Sequence, residues 1–317
     1  MRLSLSLPSA AVLLAASLPL AARASAPMVK TQAPGYLRFM LGSFEVTVLS
    51  DGTVKLPMTK LLVADAAKTS STLKKAFLGD LVETSDNAYL INTGKKLVLI
   101  DTGAGSLFGP TLGNMMTNLK AAGYSPEQVD EVYITHAHPD HIGGLSVNGE
   151  PAFPNATLRL DQADLDFWLD EARAKAAPEE SKGFFQGAAA MLGPWVAAKR
   201  VSAFTGPTDL VTGVKAQPSH GHTAGHTTYV VESDGQKLVL WGDLMHAAAV
   251  QFPEPGVTIA FDTDPKAAAA ERKKAYAEAA KSGELVGITH VSFPGVGHLR
   301  TAGKGYEWLP LNYTSLK

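Results

Sequence analysis

The chain has 317 residues, with 28 Lys plus Arg against 30 Asp plus Glu, 9 His, no Cys and 45% hydrophobic residues. That is globular composition, and a net charge of -2 offers no basic field to gather phosphates, which argues against a nucleic-acid partner. Without cysteine there is no disulfide scaffold, no thiolate metal site and no cysteine nucleophile, so any metal must be held by nitrogen and oxygen.

Arg2, the apolar run over 3–20 and Ala22-Arg23-Ala24 have the layout of an export signal: a positive start, a hydrophobic stretch and a small-x-small cleavage site. Pro8 and Pro19 suit a spanning helix poorly. The expectation is a signal peptide over 1–24 and a single domain over 25–317, exported to the periplasm and without stable membrane association once cleaved.

No linker, low-complexity run or short repeat divides the remainder. Apolar runs bounded by turn residues predict strands over 36–40, 44–49, 88–92 and 96–100, with turns at Asp51-Gly52 and Asn92-Thr93-Gly94. Leu112, Met115, Met116 and Leu119 space a helix over 111–122 that stops at Gly123. A short buried strand follows at 132–134. Further helices are expected over 162–176, 179–192 and 265–281, and further strands over 227–232 and 237–241. Strands first, then mixed strands and helices, suggest α/β sheets with helices packed outside.

Thr135-His136-Ala137-His138-Pro139-Asp140-His141 comes directly after the short buried strand. So many polar side chains cannot be buried there without partners, and a metal ion satisfies them at least cost. All nine histidines fall between His136 and His298, with His220, His222, His226, His246 and His290 between the two. Most follow or precede apolar, strand-like runs, such as those ending Gly242-Asp243 and Thr289-His290, so strand ends would deliver ligands to one sheet edge. Neutral imidazole and carboxylate donors suit zinc, and also manganese, iron or cobalt.

On these residues the chain resembles the metallo-β-lactamase superfamily. The resemblance covers Asp101-Thr102-Gly103, the His136 to His141 loop, Gly221-His222-Thr223-Ala224-Gly225-His226, Gly242-Asp243 and His290. It implies an αββα sandwich, two mixed β-sheets flanked by helices, carrying two divalent metal ions, Zn2+ before Mn, Fe or Co. By that resemblance His136, His138 and His222 hold one ion, Asp140, His141 and His290 the other, and Asp243 bridges them. His226 and Asp101 would support the ligands, and His220 and His298 would be loop or supporting polar residues.

Four further segments, Leu107-Phe108-Gly109-Pro110, Ala163-Asp164-Leu165-Asp166-Phe167-Trp168, Ser181-Lys182-Gly183-Phe184-Phe185 and Phe293-Pro294-Gly295-Val296, resemble the methyl parathion hydrolases and dihydrocoumarin-hydrolysing lactonases. That group is exported and usually homodimeric. Leu61, His246, Ile259 and Phe261 depart from its organophosphate branch, which carries Arg, Leu, Thr and Leu there, and the chain lacks that branch's serine just before Ser181. The resemblance therefore leans to an aryl lactonase, in which a metal-bridging hydroxide would attack the lactone carbonyl, Asp140 or a metal-bound water would shuttle a proton and His246 would donate to the substrate. Phe108, Trp168 and Phe185, with Leu61, His246, Ile259 and Phe261, would line the aryl pocket. The alternatives are a phosphotriesterase, another esterase or β-lactamase of the superfamily, and a metal-binding protein without turnover.

Overall fold

A computed structural model of the chain describes residues 26–316, so the expected leader over 1–24 lies outside the described residues. Contacts group Pro34–Lys317 as one unit, and 26–33 carries no helix or strand. Among the described residues no helix is long and apolar enough to cross a membrane.

Leu97–Ile100 shows how the layers are built. All four of its residues are buried, with alternate side chains facing opposite ways: Leu97 and Leu99 join a cluster with Leu119, Trp195 and Leu192, while Val98 and Ile100 join one with Tyr229, Leu238 and Leu240. One side of this sheet therefore packs on helices and the other on a second sheet. The first sheet has six strands, in the order Tyr36–Leu41, Phe44–Pro57, Leu81–Asn92, Leu97–Ile100, Glu131–Tyr133 and Thr157–Arg159. The second has seven, in the order Thr208–Val211, Val214–Pro218, Thr227–Ser233, Gln236–Leu240, Leu285–Gly287, Val296–Ala302 and Gly305–Pro310. The outer face of the second sheet packs Val239, Trp241 and Val286 against Tyr276 and Ala279 of the helix Pro265–Ser282. The result is helix, sheet, sheet, helix: the αββα sandwich of mixed sheets that the resemblance implies.

The two sheets are mixed in a way that matters for the site. Leu97–Ile100, Glu131–Tyr133 and Thr157–Arg159 run parallel, as do Gln236–Leu240 and Leu285–Gly287. The carboxyl ends of parallel strands point the same way, which is where open α/β sheets gather their ligands.

Several boundaries differ from the sequence expectation. The strands expected over 44–49 and 88–92 extend to Phe44–Pro57 and Leu81–Asn92, which pair along their length. Asp51-Gly52 is a bulge inside the first of these and not a turn. Asp51 turns its carboxylate onto the backbone N–H groups of Ala104 (2.9 Å), Gly113 (2.7 Å) and Met115 (2.8 Å). Gly52, at φ 132°, has no room for a Cβ against the Thr111 carbonyl. The helix expected over 111–122 starts later, at Met115–Ala121, because residues 112–114 are drawn into that Asp51 loop. The single helix expected over 162–176 is two, Gln162–Trp168 and Glu171–Ala176, since the Asp170 side chain caps the second by accepting from Ala172 and Arg173. The helix expected over 179–192 continues as Glu179–Ala197. The helix Ala66–Lys75, capped by Asp65, and the strands Val214–Pro218 and Gly305–Pro310 were not anticipated.

Candidate metal centre

Three strand ends and one loop meet at a single edge of the two sheets. His136 follows Glu131–Tyr133, and the chain then turns into the short helix Pro139–Ile142, which carries Asp140 and His141. Pro139 at its first position has no N–H to satisfy, which suits so short a helix. His222 comes from the loop between Val214–Pro218 and Thr227–Ser233, Asp243 from the turn Gly242–Leu244 after Gln236–Leu240, and His290 from just beyond Leu285–Gly287.

Donor atoms of His136, His138, His222 and Asp243 lie within 4.8 Å of one another, as do those of Asp140, His141 and His290, and those of Asp243, His246 and His290. Asp243 stands between the groups. Its Oδ2 is 3.6 Å from His136 Nε2, 3.4 Å from His222 Nε2 and 3.0 Å from His246 Nε2, and its Oδ1 is 3.1 Å from both His141 Nε2 and His290 Nε2. Asp140 is half-buried at the rim, 3.6 Å from His290 Nε2.

The imidazoles are oriented from behind. His141 Nδ1 donates to Asp101 Oδ2 (2.8 Å), His222 Nδ1 to Asp262 Oδ1 (2.9 Å) and His290 Nδ1 to the Ser85 carbonyl (2.9 Å). Each partner is an acceptor only, so each ring carries a proton on Nδ1 and turns Nε2 inward. His138 is the exception, placing Nδ1 inward, 3.1 Å from His222 Nε2. Asp101, at φ 60°, also accepts from Thr135 N and Oγ1, both at 2.8 Å.

These side chains fit metal ions. His136 Nε2, His141 Nε2 and Asp243 Oδ1 are buried without a hydrogen-bond partner, a costly arrangement that a cation among them resolves. Burial and the neighbouring imidazoles hold His136 and His138 well below the usual histidine range, in the neutral form that ligates. Burial opposes the Asp243 carboxylate, but His141, His290, His246 and His136 outweigh it and hold that group well below its usual range. With no thiolate available, borderline nitrogen and oxygen donors suit Zn2+ and its first-row neighbours.

Other expected residues are placed as follows. His226 is buried outside the donor groups; its Nδ1 donates to the Ser219 carbonyl (3.0 Å) and its Nε2 accepts from Asp243 N (3.1 Å), so it holds the backbone of Asp243. Burial pushes its ring down to about 3. His220 pairs with Asp161 at 3.2 Å, and His298 Nδ1 donates to the Gly283 carbonyl at 3.0 Å.

Beside His138 opens a cavity of about 420 Å³ walled by Phe167, Trp168, Phe184, Phe185 and Phe261, with Arg173 also lining it. The Trp168 ring is T-shaped to His138 at 5.3 Å and stacks on Phe184 at 6.1 Å. Trp168, Phe185 and Phe261 therefore face one space, and Phe167, Phe184 and Arg173 join them without having been expected. Leu61, Phe108 and Ile259 are not in this lining: Ile259 is fully buried, pairing with Leu62 beneath Phe261, and Leu61 packs on the same small cluster. His246 sits beside His222 and His290, its ring 6.3 Å from Phe261 of the first cavity, and also lines a second cavity of about 420 Å³ with His290, Phe293 and Trp308.

Sequence reading also missed Asp164 as a support. Fully buried, it accepts from Ala137 N and from Gly225 N, both at 2.7 Å, and so staples the two loops that carry His136, His138 and His222. A single aspartate amid a helical pattern gives no local sign of such a role.

An αββα sandwich with histidines and carboxylates converging at its sheet edge defines a class of metal-site proteins. The chain belongs to the metallo-beta-lactamase superfamily, whose family model matches residues 82–290, from the second long strand of the first sheet through to His290. Among solved structures it is similar to AbOPH, a hydrolase in the beta lactamase superfamily, with 37% identity and a TM-score of 0.85 over 90% of this chain and 100% of that one. It is also similar to AidC, a dizinc quorum-quenching lactonase solved with its product N-hexanoyl-L-homoserine, with 28% identity and a TM-score of 0.81 over 89% and 99% of the two chains. A probable metallo-hydrolase of Mycobacterium tuberculosis is 27% identical over 177 residues, 52% of this chain and 56% of the relative, so the chain spans little more than half of that relative's length. An N-acyl homoserine lactonase of Bacillus cereus is 27% identical over 195 residues, 56% of this chain and 68% of the relative.

Proposed function

We propose that the chain is a binuclear metal-dependent hydrolase that opens lactones, with aryl lactones of the dihydrocoumarin type as its preferred class. The observation that carries this reading is Asp243, buried between two sets of imidazole donors beside an aromatic cavity. His136, His138 and His222 would hold one ion, Asp140, His141 and His290 the other, with Asp243 shared. Two divalent ions held there would supply Lewis acidity toward an ester carbonyl and a water activated near neutral pH.

The chain's own residues then set the substrate. Trp168, Phe184, Phe185 and Phe261 form aromatic walls that hold a flat ring by offset or edge-on stacking. Asp140, half-buried at the rim, is the carboxylate placed to accept and return a proton. His246, with an unpartnered Nδ1 and its ring 6.3 Å from Phe261, offers a polar contact. Phe261, standing on the buried pair Ile259 and Leu62, narrows the space in a way that favours a planar bicyclic ester over a tetrahedral phosphotriester. This supports placing the chain with the dihydrocoumarin-hydrolysing lactonases and not with the methyl parathion hydrolases. The likeness to AidC supports a second lactone class, the N-acyl homoserine lactones. Arg2, the apolar run over 3–20 and Ala22-Arg23-Ala24 support export to the periplasm, and family resemblance supports a homodimer.

The test is kcat/KM for dihydrocoumarin, an N-acyl homoserine lactone and methyl parathion on the zinc-loaded protein. A lactone preference of about a thousandfold, roughly 4 kcal/mol in the transition state, is expected. A phosphotriester preference would overturn the reading, and the order of the two lactones decides between their classes.

A further inference from the structure

We propose that Asp262, braced by Arg272, is the positioning residue that aims His222 at the metal centre; this rests on the metal-dependent reading above. Neither residue belongs to the donor groups or to any motif that led to them.

The Asp262 side chain is wholly buried and divided between two tasks. Its Oδ1 accepts from His222 Nδ1 at 2.9 Å, and its Oδ2 accepts from Ile259 N at 3.0 Å. The first bond places a proton on Nδ1 of His222 and turns its Nε2 toward Asp243 and His138. The next residue adds a backbone tie, Thr263 N donating to the His222 carbonyl at 2.9 Å. His222 is therefore held at both ring and main chain by 262–263, although 40 residues separate it from Asp262.

Arg272 faces the same carboxylate from the helix behind it. It lies fully buried on the helix Pro265–Ser282, with its Nη2 4.0 Å from Asp262 Oδ2 and without a hydrogen-bond partner. A guanidinium keeps its proton even when buried, so it needs an anion facing it. Its other nitrogens donate to the carbonyls of Leu244 and Val257, the latter at 2.6 Å. Leu244 directly follows Asp243. One helix side chain thus supports both the carboxylate behind His222 and the turn that carries Asp243. Because Asp262 also lines the aromatic cavity next to Phe261, this brace joins the cavity wall to the metal donors.

The test uses the full-length chain, with zinc affinity measured by competition against a chromophoric chelator and Tm measured with and without zinc. Asp262→Asn should weaken one zinc equivalent about 10- to 100-fold, and Asp262→Glu should recover part of that loss. The Tm of the zinc-loaded Asp262→Asn protein should fall further than that of the zinc-free protein. Unchanged zinc affinity, or an equal Tm loss in both states, would overturn the proposal and reduce Asp262 to packing. Should Asp262→Asn not fold, nitrogen-15 spectra of histidine-labelled, zinc-loaded wild type decide: a protonated Nδ1 on His222 is expected, and a metal-bound Nδ1 overturns the assignment. Wild type that binds no zinc would instead remove the metallo-hydrolase reading itself.

Discussion

Asp164→Ala tests whether the metal loops are held by one buried carboxylate. The wild-type side chain accepts two backbone N–H groups, Ala137 and Gly225, each at 2.7 Å, in a position with no solvent exposure. Hydrogen bonds to a charged acceptor contribute about 1.5–3 kcal/mol each, so losing both removes about 3–6 kcal/mol. Burial works against the carboxylate and pushes its pKa up, which returns part of that sum and leaves a net loss of about 2–4 kcal/mol. Asp164→Asn should cost nearly as much, because its amide nitrogen would face one of the two donors. The assay is urea unfolding of the zinc-loaded and zinc-free proteins, joined to hydrogen exchange at the Ala137 and Gly225 amides. Both amides should lose protection, and zinc affinity should fall with them. A loss below about 0.5 kcal/mol with unchanged exchange would refute the staple, since two buried N–H groups cannot be left unpaired so cheaply.

Asp243→Ala removes the carboxylate that faces His136, His141, His222, His246 and His290, so zinc content by mass spectrometry and lactone turnover should fall together; full metal content with normal activity would contradict the shared-ligand assignment. Trp168→Ala opens the aromatic cavity beside His138 and should lower kcat/KM for an aryl lactone about tenfold more than for a small aliphatic ester, or about 1.4 kcal/mol; an equal loss on both would make Trp168 a core residue only. Gly143→Ala places a Cβ onto the Ala104 carbonyl just after the helix that carries Asp140 and His141, and should cost about 1–3 kcal/mol in thermal or urea unfolding; a wild-type midpoint would show that the loop yields freely. Removing zinc with a chelator should lower Tm, and adding zinc should restore it, because a ligand bound only by the folded chain stabilises it; a Tm indifferent to zinc would speak against a metal site.

The layered architecture was largely legible in the chain because hydrophobic period and strand-like runs are local properties. Leu97–Ile100 is apolar on both faces, the pattern of a strand between two packed layers. What local pattern misjudged were places where one side chain reached a distant backbone. Asp51-Gly52 has the composition of a turn, yet the Asp51 carboxylate is committed to amides at 104, 113 and 115, and the strand runs on. Asp170 interrupts an apolar helical stripe because its cap satisfies two N–H groups at once.

The metal donors divide in the same way. His136, His138, Asp140 and His141 lie within six residues, and their density alone signals a shared partner. Asp243 and His290 stand out singly after apolar runs and His222 sits between His220 and His226, and family resemblance was needed to group them. Of the supports around them, Asp101 and His226 came with that resemblance, whereas Asp164, Asp262, Arg272 and the Ser85 carbonyl could not be read, since they act on residues 27 to 205 positions away. An isolated aspartate or arginine carries no periodicity and no spacing. The sequence by itself determined the alternation of layers and a cluster of nitrogen and oxygen donors able to hold metal, because both are written in neighbouring residues. Only the tertiary structure decided which nitrogen each imidazole turns inward and which aromatic rings face the cavity, because both depend on packing between segments far apart in the chain.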